Sequence, residues 1–183
     1  MRRHGPKPFL DDPDEGLSPS TSHPAFVAVA PPWCFDEGDP SAPFGSDDGH
    51  DTLRDLEEWY ASGGGDEHAP GRVAALVEDW GLVPEEVWDR DAAGVRAWLD
   101  ADDAHIRFLH GEVSARLAGA LGQFKIAGHV HPALRSWAEQ ALAMAGLLEE
   151  WERGTFGLDP DPAPGERRAA LASVLASAPQ PGA

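Results

Sequence analysis

Apolar positions recur every three to four residues through the second half of the chain. From 91 to 125 they run Val95, Trp98, Leu99, Ile106, Leu109, Val113, Leu117, Leu121 and Phe124. That period predicts an amphipathic helix, which if unbroken would span about 50 Å. Asp102, Asp103 and His105 interrupt the stripe near its middle, and Gly111, Gly119 and Gly122 lower helix propensity, so the pattern allows a kink. Residues 125–131 read as a short loop. Pro132 then opens a second long helix over 132–153, with Leu134, Trp137, Leu142, Leu148 and Trp151 apolar and Gly154 as its stop.

Shorter helical patterns flank this pair. Leu53, Leu56, Trp59 and Tyr60 predict a helix over 51–61, ended by a Gly-rich linker at 62–66. A helix over 72–80 stops at Gly81, a turn over 84–88 starts at Pro84, and an Ala-rich helix covers 166–178 after a linker at 155–165. The one alternating stretch holds Val27 and Val29 and ends at Pro31 and Pro32. It predicts a short extended segment, either laid across the helices or serving as a linear motif for a partner. The fold class is therefore all-α: a helical bundle built on one long helix and an antiparallel second long helix, with a Pro/Gly-rich, largely irregular N-terminal arm. Residues 1–50 form that acidic arm, irregular or disordered, 51–153 the helical domain, and 154–183 a linker with a short C-terminal helix.

Composition sharpens the division. Residues 1–50 carry nine Pro and five Gly, the level at which irregular structure is the default. The whole chain of 183 residues has 14 Lys+Arg against 32 Asp+Glu, a net charge of −18. Residues 1–70 contribute −11 of this and 71–183 contribute −7, so the front is the more acidic part per residue. Such a balance argues against nucleic acid and anionic membrane as partners, since both need clustered Lys and Arg. No run approaches the roughly 18 apolar residues of a membrane span. The start has early Arg2 and Arg3 but no apolar stretch behind them, so no secretory leader is expected. A single cysteine excludes a disulfide framework and, with the rest, places the chain in the cytoplasm.

Candidate chemistry is sparse. His129 and His131 form a compact pair, and His105, His110 and Glu112 come from the preceding helix. They lack the spacing of a metal site, and His131 stands where a helix N-cap belongs, so no metal and no cofactor are expected. The helix–turn–helix spacing of 72–99 opens its second helix with carboxylates, which is wrong for phosphate. Cys34 has no basic neighbour in sequence to activate it. Asp103–Arg107 and Glu112–Arg116 read as ordinary surface pairs at i,i+4. The aromatics Trp33, Phe35 and Phe44 sit in the irregular arm, where aromatic anchors would form a recognition surface.

Residues 95–147 resemble the all-helical class of chorismate mutases. The resemblance rests on Arg96, Asp103, Ile106 and Leu109, then Leu117, Ala118, Leu121, Gly122 and Lys125. Val130 and Arg135 follow, and Ala145, Gly146 and Leu147 close the second helix. It implies rearrangement of a small dicarboxylate in a helix-swapped homodimer. Lys125 would then face the ether oxygen, Arg135 would lie near the second helix's end of the site, and Arg96 would reach into the partner's site. Ser114, Pro132 and Ser136 stand where that family carries charged site residues. Two functions follow. One is an acidic protein-interaction or regulatory protein whose partner is a protein. The other is a mutase-like enzyme, or a scaffold derived from one.

Overall fold

In the computed structural model, which describes residues 7–182, seven α-helices follow one another among the described residues. They are α1 (Pro24–Val27), α2 (Asp47–Ala61), α3 (Ala69–Trp80), α4 (Ala92–Leu99), α5 (His105–Ala127), α6 (Pro132–Phe156) and α7 (Ala163–Ser177). Among the described residues there is no strand, only an isolated bridge between Asp12 and Gly16. The protein is all-α, with two long helices and an irregular N-terminal region. Arg2 and Arg3, read for the absence of a leader, lie outside the described residues.

The helix expected over 91–125 is two helices. Asp102 explains the break, because its Oδ1 accepts the Ala104 N–H at 2.8 Å and so offers the backbone a turn in place of a helix. His105 then folds back on Trp98. Their rings stack 3.9 Å apart, and His105 Nδ1 lies 2.6 Å from the Trp98 carbonyl. Gly154 does not stop α6, which runs on to Phe156 and ends at Gly157 with φ 61°. The extended segment expected around Val27 is the helical turn α1. Pro24 sets its first residue, and the His23 Nδ1 accepts the Ala25 N–H at 3.1 Å. Burial holds the His23 pKa below its ordinary value, which keeps that nitrogen free to accept.

α5 is the axis of the molecule. It touches α1, α2, α3, α4 and α6, and α7 packs on α6. The loop from α5 to α6 is only four residues, 128–131, so the two helices run antiparallel. The α5 glycines serve this central position by leaving room for the neighbouring helices. A Cβ on Gly119 would lie 2.9 Å from Val73 of α3, and one on Gly122 would lie 3.2 Å from Leu56 of α2. Two apolar clusters result, with Leu117 packed against both. Phe26, Phe44, Leu53, Leu56, Phe124 and Leu134 belong to one, and Val87, Val95, Trp98, Leu109 and Leu148 to the other.

The arm lacks long regular elements, as its composition predicts, and it lies against the helices. Phe9 N–H donates to the Ile126 carbonyl at 2.9 Å and His23 N–H to the Lys125 carbonyl at 2.8 Å. These carbonyls belong to the last turn of α5, where no intrahelical partner exists, so the arm caps the helix. Gly128 closes that cap with φ +81°, and a Cβ there would sit 2.3 Å from the His23 ring. Gly128→Ala should therefore cost about 1–3 kcal/mol, combining left-handed strain with displacement of His23. Gly154→Ala, with open space around it inside α6, should instead gain about 0.5–1 kcal/mol. Urea unfolding of the two variants checks both signs.

Candidate functional site

Lys125 lies in the last turn of α5, and its side chain is fully buried. Its Nζ is 2.6 Å from Asp11 Oδ1 and 2.5 Å from Glu57 Oε1. Arg54 closes the other side of the same carboxylates, pairing with Glu57 at 2.8 Å and with Asp11. Thr21 Oγ1 donates to Asp11 at 2.9 Å, and the Asp11 N–H donates to Glu57 at 3.0 Å. Two cations and two carboxylates thus neutralise one another and join the arm, α2 and α5. Burial alone would raise the Asp11 pKa, but Lys125, Arg54 and Thr21 together outweigh it and hold the carboxyl below its ordinary 3.8.

Of the residues implied by the mutase resemblance, Lys125 and Arg135 do not share a site. Lys125 has no solvent access. Arg135, on α6, is spent on the end of α7, where it donates to the carbonyls of Leu175 and Ala178 at the latter in 2.6 Å. Arg96 projects from α4 to Glu150 of the same chain at 3.0 Å. Ser114 lines a cleft that none of them borders.

The arm aromatics are packing residues. Phe44 has no exposure and lies in the core beside Phe26, Phe35 meets Phe26 edge-on at 5.6 Å, and the Arg167 guanidinium covers Trp33 at 4.8 Å. Phe44 therefore forms no part of a recognition surface, because the proline-rich chain around it folds it inward. Burial pushes the Cys34 thiol up to about 12, against the opposing pull of Arg167, which leaves it an inert core group. His131 caps α6, its Nδ1 accepting the Ala133 N–H at 3.1 Å. Among the described residues no three His, Cys, Asp or Glu side chains gather in a way that could hold a metal ion.

The Glu112–Arg116 pair is buried, not on the surface. Arg116 sits 3.6 Å over Trp88 and 5.3 Å from the Trp137 ring, and bonds Glu112 at 2.9 Å. Burial raises the Glu112 pKa and lowers that of Arg116 in spite of their contact, so this pair orients the tryptophans at an electrostatic cost. Arg107 turns to Asp48 of α2 at 2.9 Å instead of to Asp103.

Two features went unseen in the sequence. The first is the segment 78–103, from the end of α3 to the turn after α4. It holds nine carboxylates and two arginines, a net −7 that equals the whole excess of residues 71–183. All nine carboxylates are exposed. Summing charge over half the chain hid this, and a shorter window would have found it. The second is an open cleft of about 520 Å³ between α5, α6, α7 and residues 40–43. A shallower recess of about 390 Å³ shares Pro40, His110 and Ser114 with it and reaches Arg107 and Asp48. No window of sequence could have shown the cleft, since four separate segments build it.

Among the described residues no helix is long and apolar enough to cross a membrane. No family model, no curated protein and no solved structure matches this chain.

Two measurements probe the buried ion network. Lys125→Met leaves Asp11 and Glu57 facing each other without their ammonium, and should cost about 3–5 kcal/mol in urea unfolding. The pH dependence has a definite sign. A depressed folded pKa means that the Asp11 contribution is present above 3.8 and is lost as pH falls through the folded value below it. The melting temperature of the wild type should drop steeply in that acid range, and more gently in Asp11→Asn.

Proposed function

We propose that this chain is a binding protein for a basic protein partner, and that it engages that partner through residues 78–103. The observation that carries this is the set of nine exposed carboxylates there against two arginines. Arg96, one of the two, already serves Glu150. Like charges gathered on one short segment repel one another in the free protein, and a cationic surface relieves them. Such a field also speeds encounter and rejects acidic competitors. Half-buried Trp80 and Leu82 lie among the carboxylates and supply the apolar anchors that a charged rim alone lacks.

The acidic arm, the first candidate for this role, buries Phe44 and leaves Trp33 and Phe35 only half-exposed against the helices, which supports a reading on the helices instead. The mutase-like alternative would need Lys125 released from Asp11 and Glu57, and nothing in the geometry favours it.

Glu78, Asp79, Glu86, Asp89 and Asp103 accept no hydrogen bond among the described residues, so neutralising them leaves the fold's contacts in place. The variant Glu78→Gln, Asp79→Asn, Glu86→Gln, Asp89→Asn, Asp103→Asn is compared with wild type in affinity capture from the source cells, read by mass spectrometry. A basic protein should be retained by wild type, released as ionic strength rises, and associate about tenfold more slowly with the variant. Equal capture by both chains, or capture of no basic protein, would overturn the reading.

A further inference from the structure

The cleft between α5, α6 and α7 is graded from apolar to charged. On α5 it is lined by His110, Ser114 and Leu117, and on α6 by Leu142, Ala145, Glu149 and Glu152. Each set steps by three or four residues and so occupies one helix face. The helices are antiparallel, which puts His110 opposite Glu152 and Leu117 toward Leu142. Leu171 of α7 joins the apolar end. The volume falls in the range of small-ligand pockets.

The arginines at the polar end are matched, but two of the carboxylates are not fully so. Arg168 pairs with Glu149, and Arg167 with Asp39 and Ser41. Those hydrogen bonds from Ser41 and Arg167 hold the Asp39 carboxyl down at about 2. Glu152 meets only His110, whose Nε2 lies 3.0 Å from its Oε1, and its Oε2 takes no hydrogen bond among the described residues. Asp161, also on the lining, accepts the Ala163 N–H at 2.9 Å and has no ion pair among the described residues. The mouth of an apolar trough thus carries surplus negative charge.

We propose that this cleft binds an amphipathic amine, with its apolar body against Leu117, Leu142 and Leu171 and its ammonium on Glu152. An anionic ligand would have to break the Arg167 or Arg168 ion pairs, and a neutral one would leave the second Glu152 oxygen without a partner. A chain of net charge −18 also concentrates cations at its surface. The cleft shares no residue with segment 78–103, so the two sites stand or fall separately.

The test is calorimetric titration of the full chain near neutral pH with 4-phenylbutylamine, 4-phenylbutyrate and 4-phenylbutanol. The amine should bind at one site per chain, about tenfold more tightly than the acid or the alcohol. Glu152→Gln should weaken the amine about tenfold with the melting temperature kept, while Arg153→Gln, outside the lining, should not. Ser114→Trp, which fills the cleft wall, should abolish binding. Equal binding of amine and alcohol, an unchanged affinity in Glu152→Gln, or no saturable binding of the amine would overturn the proposal.

Discussion

A lysine ammonium cut off from water must be met by carboxylates, and the N-terminal half of this fold is arranged around meeting one. Lys125 points into the interior from α5, where an unpaired charge would cost several kcal/mol. Glu57 supplies one carboxylate from α2, and Asp11 supplies the other from the arm. Arg54 and Thr21 satisfy the remaining oxygens, so that no charge in the group is left over. The requirement is local and electrostatic, but its consequence is architectural. An arm rich in proline and glycine, with little propensity for regular structure, is held over the end of α5 and caps its last carbonyls.

The same helix carries the apolar organisation. α5 can be surrounded because Gly119 and Gly122 occupy positions that face α3 and α2, and the side chains of Val73 and Leu56 use the space. Gln123, fully buried, ties the helix ends together. Its amide N–H reaches the Tyr60 hydroxyl at 3.1 Å, and its oxygen accepts the His131 N–H at 2.7 Å. A buried polar group so fully used specifies one arrangement of neighbouring helices.

These internal commitments shape what is left for partners. The chain has 14 basic residues, and the fold engages many of them with its own groups: Lys125 and Arg116 inside, Arg54 half-buried beside Lys125, and Arg72, Arg107, Arg167 and Arg168 in ion pairs at the edges. With 32 acidic residues, the surplus must appear on the surface as unmatched carboxylate. Much of it lies on residues 78–103, and it recurs at Glu152 and Asp161 in the cleft. Both proposed sites, one for a basic protein and one for an amphipathic amine, express the same imbalance at different scales.

Helix period and helix punctuation were legible in the residues alone. The all-α class, the antiparallel long pair, the stop at Gly81 and the cap at His131 all follow from contacts within a few residues, which a linear pattern records. The break at Asp102 was visible as an interruption, though its depth depended on His105 stacking back on Trp98. What tertiary structure decided was the use of each charge. Lys125 looked like a site residue and Glu112–Arg116 like a surface pair, yet both are interior, because burial is set by segments distant in sequence. Asp11 and Lys125 are separated by most of the chain. The cleft likewise draws on four segments. Neither has a local signature, since a charge's environment depends on what packs over it, and that is settled only when the helices meet.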